Sequence, residues 1–93
     1  MEKGYNSDVR IFGDLYHIQT EDWGSEVLVM VTRVFKNGAV IKSIKTSYAE
    51  LFKLTPQLHR RQKLREAIRT QHRKILDLLQ SGQIIYEKGK LNV

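Results

Sequence analysis

Val27-Leu28-Val29-Met30-Val31-Thr32-Arg33-Val34-Phe35-Lys36, then Asn37-Gly38, then Ala39-Val40-Ile41-Lys42-Ser43-Ile44-Lys45 is the stretch that decides the fold. Both runs are rich in β-branched residues, and Asn-Gly supplies the two positive φ values of a type I′ turn, so the stretch predicts a β-hairpin. A two-residue turn sets Phe35 opposite Val40, Arg33 opposite Lys42 and Val31 opposite Ile44 on one face. On the other face it pairs Val34 with Ile41, Thr32 with Ser43 and Met30 with Lys45. Neither face is cleanly polar, which predicts a helix over one and a second chain or sheet over part of the other. Arg33 facing Lys42 is repulsive unless an acid or anion lies nearby.

Upstream, Val9 to Phe12 and Leu15 to Thr20 predict a second hairpin, with Gly13-Asp14 as a type II′ turn. The second arm sets Tyr16 and Ile18 on one face against His17, Gln19 and Glu21 on the other. Asp22-Trp23-Gly24-Ser25 reads as a loop and carries the only tryptophan. Downstream, Ser47 with Glu50 has the capping-box spacing, predicting a short helix over 48–54. Thr55 as N-cap and Pro56 at the first helical position then open a long helix over 57–81, with Gly82 as its stop. Leu64, Ala67, Ile68, Gln71, Ile75, Leu78 and Leu79 form its buried stripe. Residues 83–93, with Ile84-Ile85-Tyr86 and a Lys88-Gly89 turn, fit a terminal strand or a frayed end equally well. The expected architecture is α+β: a four-stranded antiparallel meander, with strands over 9–45, carrying a short and a long C-terminal helix on one face.

A chain of 93 residues, 41% of them apolar, makes a single domain. The absence of cysteine removes disulfides, thiol nucleophiles and thiolate metal sites, and favours a reducing, cytoplasmic address. Its longest apolar run, Val27 to Val31, is far too short to span a membrane. Net charge is +6, and residues 59–74 hold seven basic residues against one acid, Glu66. Removing that segment from the totals of sixteen and ten leaves nine basic and nine acidic residues, so the whole excess lies on the long helix.

Arg61, Arg65, Arg69 and Arg73 recur every fourth residue, with Lys74 beside the last. Such a winding row of guanidinium groups suits carboxylates or phosphates. His17, Glu21, His59 and His72 show no pairing at metal-ligand spacing, and no serine sits in a nucleophile elbow. Gly38 to Ser43 lacks the second glycine of a phosphate loop. No cofactor, metal or catalytic residue is therefore expected.

The segments Tyr16 to Gly24, Val34 to Gly38, Lys45 to Tyr48 and Gln71 to Lys74 together resemble a small uncharacterised bacterial family. Its mark is a His-x-Gln-Thr-Glu-Asp-x-Gly signature, here His17 to Gly24. The resemblance implies a loose association with regulatory proteins, and neither an activity nor a cofactor. The order of four strands and then a helix also resembles small single-stranded-DNA-binding coactivators, a likeness of fold alone.

Two surfaces are expected to carry function. The first is the basic helix, with Arg61, Arg65, Arg69, Arg73 and Lys74. The second is an interaction edge of His17, Gln19, Glu21, Asp22 and Trp23, where Trp23 serves either as an exposed anchor or as a lid on the core. The expected function is a non-enzymatic regulatory or adaptor module that binds an acidic protein partner. The alternative is a nucleic-acid binder contacting phosphates with the same arginines. A homodimer or hetero-complex is expected to cover the half-apolar sheet face.

Overall fold

Alternation along the second strand, β2 (Asp14–Asp22), sets which side of the sheet is buried. Tyr16, Ile18, Thr20 and Asp22 turn inward, and His17, Gln19 and Glu21 turn outward. With β1 (Tyr5–Ile11), β3 (Val29–Lys36) and β4 (Ala39–Ser47) it forms an antiparallel meander of order β1-β2-β3-β4. A short helix, α1 (Ala49–Leu54), and a 3₁₀ turn (Gln57–His59) lead into the long helix α2 (Arg60–Gln80), which lies across the inward face. The computed structural model describes residues 4–24, 26–82, 85–87 and 90–92. The last two segments are strands β5 (Ile85–Glu87) and β6 (Lys90–Asn92), paired as a separate hairpin. Ser25 and the Lys88-Gly89 turn lie outside the described residues. The α+β architecture read from the sequence is thus the one observed.

Apolar spacing on α2 buries Leu64, Ile68, Ile75 and Leu79, and the core divides along the helix. Toward its C-terminus, Ile75 and Leu79 pack with Tyr16, Ile18 and Val34, while toward its start Leu64 and Ile68 pack with Met30 and Tyr48. Gly82, at φ 82°, ends the helix as expected, with its N–H on the Leu79 carbonyl at 3.2 Å.

Several local expectations are corrected. The β3–β4 register slips by one residue between Val34 and Phe35. Phe35 faces Val40 as expected, but Val34 faces Lys42, Arg33 faces Ser43, Thr32 faces Ile44 and Val31 faces Lys45. The slip is a bulge at Ile41 that returns Ile41 and Ile44 to the Ile18–Val34 core and separates Arg33 from Lys42. The first turn is centred on Phe12 and Gly13, with φ of 50° and 85°, making it type I′ rather than II′. Phe12, expected to end the first strand, is instead fully exposed at the turn tip. β3 starts at Val29, because Val27 and Leu28 donate their N–H groups back to the Gly24 carbonyl in a turn. The capping box does not form: Ser47 Oγ accepts from the Ala49 N–H, and α1 has no side-chain cap. Nor does Thr55 cap the long helix, since its hydroxyl donates to the Leu51 carbonyl at 2.6 Å and closes α1 instead.

Asn37 and Gly38, at φ of 50° and 89°, make the expected type I′ turn of the central hairpin. Gly38→Val should destabilise the protein by about 1 to 3 kcal/mol, because a β-branched residue resists positive φ. Urea denaturation measures the loss; an unchanged midpoint would mean that the turn does not fix the hairpin.

Candidate functional site

Arg61, Arg65, Arg69 and Arg73 are all exposed on α2. Four residues advance an α-helix by 400°, so each arginine sits about 40° further from the buried stripe. Two polar side chains show which flank they occupy. His72 Nε2 meets Ser7 Oγ of β1 at 2.7 Å, whereas Gln71 Nε2 donates to Thr32 Oγ1 of β3 at 2.8 Å. Arg69 and Arg65, three and seven residues before His72, therefore share the flank above β1, and Arg73 lies at the outer end of the row. Among the described residues no ion pair neutralises Arg69 or Arg73. Lys74 lies about 100° round the helix from Arg73. It borders the opposite flank with Lys63, over a groove of about 550 Å³ floored by Met30, Ile44 and Ile75. Lys74 also shares a groove with Arg73, lined by Thr70, Asp77 and Leu78, so it joins the outer end of the arginine row to the opposite flank.

The polar edge divides. On the outward face, Glu21 Oε1 accepts from Arg33 Nη1 at 3.0 Å and from Trp23 Nε1 at 3.1 Å. The Trp23 ring is flanked by Lys45 Nζ at 5.0 Å and the Arg33 guanidinium at 5.7 Å. Val31, between Glu21 and Lys45 in the register, is only 1% exposed despite lying on this outward face. Trp23 is therefore a half-buried plate folded onto the outside of the sheet, neither a bare anchor nor a lid on the main core. His17 Nδ1 lies 2.7 Å from Asp8 Oδ1, and its ring is 5.7 Å from that of Phe35. Trp23→Ala should cost about 2 kcal/mol, less than a core tryptophan, because part of the ring is already exposed. A loss within the error of a thermal melt would show that the ring is not packed there.

Asp22 leaves the edge altogether. It is 4% exposed on the inward face, where its Oδ1 accepts from the Tyr48 hydroxyl at 2.6 Å and from the Gly24 N–H at 2.9 Å. Burial, and then the hydrogen bond to this carboxylate, hold the Tyr48 hydroxyl well above its usual pKa. Asp22 pins the β2–β3 loop to the start of α1 and cannot contact a partner.

Between the two apolar clusters runs a polar chain that sequence reasoning missed. Ser7 bonds His72, the other His72 nitrogen lies 2.9 Å from Thr20 Oγ1, Thr20 meets Thr32 at 2.8 Å, and Gln71 donates to Thr32. Gln71 can only donate here, so the arrangement in which each threonine both accepts and donates runs from Gln71 through Thr32 and Thr20 to His72 Nδ1. His72 Nε2–H then donates to Ser7. Burial, and secondarily the electrostatic influence of His17, push the His72 pKa below its ordinary value, which favours the neutral ring.

Among the described residues no His, Asp and Glu side chains group as metal ligands, and no helix is long and apolar enough to cross a membrane. The threonines and Ser7 are spent on one another and on His72 rather than facing a cleft. Comparison with protein-family models, curated proteins and solved structures yields no match.

Proposed function

We propose that the protein is a non-enzymatic regulatory or adaptor module that holds an acidic protein partner against the arginine flank of α2. The observation that supports this is the row of exposed arginines concentrated above one sheet edge, with Arg69 and Arg73 lacking an ion pair among the described residues. Guanidinium groups engage carboxylates in bidentate fashion, and this one-signed surface steers an acidic chain toward it. The outward sheet face, with His17, Gln19, Glu21 and the Trp23 plate, is the second contact. A bacterial, cytoplasmic setting fits the lack of cysteine and the His17 to Gly24 signature.

Phosphates would satisfy the same arginines, making nucleic acid the competing ligand. Tagged protein and its Arg69→Glu, Arg73→Glu variant, each purified with and without nuclease, separate the two. The expected result is a nuclease-resistant acidic protein that co-purifies with the wild type and is lost from the variant. Nuclease-sensitive absorbance at 260 nm that the variant loses would overturn the proposal.

A further inference from the structure

β1 is an edge of the sheet, with β2 its only strand neighbour among the described residues. Its seven residues keep an unbroken register against β2, closed by the Ile11–Asp14 pair at the two-residue turn. A closing pair of this kind exchanges both hydrogen bonds, and antiparallel pairs alternate from there. Val9, Ser7 and Tyr5 therefore spend their backbone groups on β2, whereas Arg10, Asp8 and Asn6 direct N–H and C=O outward. The edge is regular and polar, and it carries three outward donors and acceptors at strand spacing.

Above this edge runs the flank of α2 that holds Arg65 and Arg69, with Arg73 completing the row. The helix follows β1 along its length: Tyr5 packs on the cluster containing Leu64 and Ile68, Ser7 meets His72, and Val9 and Ile11 pack on the cluster containing Ile75 and Leu79. Arginines four residues apart step about 6 Å along a helix. Alternate residues on one face of a strand step about 6.7 Å. The two repeats match closely enough for successive guanidinium groups to meet successive same-face side chains of one added strand.

From this match we infer that β1 accepts an extended acidic segment as a fifth strand, whose alternate carboxylates lie opposite Tyr5, Ser7 and Val9 beneath Arg65, Arg69 and Arg73. The inference rests on the reading of α2 as the surface that meets an acidic partner, and it adds the backbone contact and the spacing. Main-chain bonds to Asn6, Asp8 and Arg10 supply affinity, and the arginine row selects acidic residues at every second position. Side chains on the other face of the added strand meet Asn6, Asp8 and Arg10, so a carboxylate opposite Asp8 is repelled. A second copy of the chain is a poor occupant. Antiparallel β1–β1 pairing would place two arginine rows against each other, at a cost in like-charge repulsion.

The probe is a fluorescein-labelled nine-residue peptide alternating Glu with Thr, followed by anisotropy against the full chain. Three control peptides are the parent N-methylated at its threonines, the parent N-methylated at its glutamates, and a same-composition peptide with its glutamates contiguous. Strand addition predicts that one of the two methylated peptides, and the contiguous one, bind at least about tenfold more weakly. Asp8→Pro removes one outward N–H while leaving the β1–β2 backbone bonds intact, and it should weaken binding to a similar extent. Asp8→Asn, which keeps the N–H, should not; circular dichroism confirms that each variant is folded.

If both methylated peptides bind like the parent while Arg69→Glu, Arg73→Glu abolishes binding, strand addition is overturned and the acidic-partner reading stands. If no acidic peptide binds but a single-stranded oligonucleotide of equal charge does, both fail. A dimer of the free protein that Asp8→Pro dissociates would also overturn the inference, since the edge would then belong to a second copy.

Discussion

Asp22→Ala is expected to lower the unfolding free energy by about 3 kcal/mol, because it removes a buried acceptor of two hydrogen bonds, leaving the Gly24 N–H unpaired and the Tyr48 hydroxyl reduced to its longer, 3.1 Å bond to the Gly24 carbonyl. The charge-assisted bond to Tyr48, at 2.6 Å, is the shorter of the two. Asp22→Asn keeps one acceptor oxygen and should lose less. Urea denaturation of both variants measures the difference. Since Asp22 faces inward, the folded fraction of either should bind an acidic peptide as the wild type does. A loss below about 1 kcal/mol from Asp22→Ala would show that the loop is held by other contacts.

His72→Ala should cost about 3 kcal/mol, because it opens a cavity beneath the helix and strands Ser7 and Thr20. The same residue gives the protein an acid sensitivity whose sign is fixed. Its folded pKa lies below the unfolded value of 6.5, so under mildly acidic conditions the unfolded chain binds a proton that the folded chain refuses. Stability is then fully present above about pH 6.5 and falls as pH drops toward the folded value. Protonation would also reverse the hydrogen-bond order, turning His72 Nδ1 into a donor and leaving the Thr32 proton without an acceptor in the chain. Denaturant midpoints between pH 7.5 and 5 should decline in the wild type and decline less in His72→Gln. Parallel profiles would place the sensitivity elsewhere.

The strands, the central turn and the apolar part of the buried stripe of α2 were legible because each rests on a local period or a turn-forming pair, whereas the first turn was placed one residue too late. Tyr16 and Ile18 announced the inward face of β2, and Asn37-Gly38 announced the central turn. The register beyond that turn was not legible. Nothing in Val40-Ile41-Lys42 marks a bulge, and the slip follows from where Ile41 and Ile44 can reach the core. The polar chain was half legible. Thr20 and Thr32 continue the inward alternation of Ile18 and Val34, and His72 lies four residues after Ile68 and three before Ile75. The period fits burial at those positions, but the residue types argued for a surface and kept Thr20 and His72 out of the expected core; their mutual bonding reconciles the two.

The functional surfaces show the same division. Basic residues every fourth position implied a winding row, and the arginines form one. Lys74 also borders the other flank because a single residue turns the helix by 100°. Asp22 looked like part of a polar edge because the signature is contiguous in sequence, whereas strand alternation sends it to the opposite side from Glu21. Trp23 sits where the loop returns across Glu21 and Arg33, a placement that depends on a partner twelve residues from Glu21.

Charge reversal at Arg69 and Arg73 tests the arginine flank most directly, since both side chains are exposed and neither carries an ion pair among the described residues. Wild type and the Arg69→Glu, Arg73→Glu variant are titrated by calorimetry with a poly-glutamate peptide and with a single-stranded oligonucleotide of equal charge. The predicted result is an unchanged thermal midpoint, peptide binding stronger than oligonucleotide binding in the wild type, and a loss of peptide affinity of at least about tenfold in the variant. Equal peptide affinity in the two proteins, or preference of the wild type for the oligonucleotide, would contradict it.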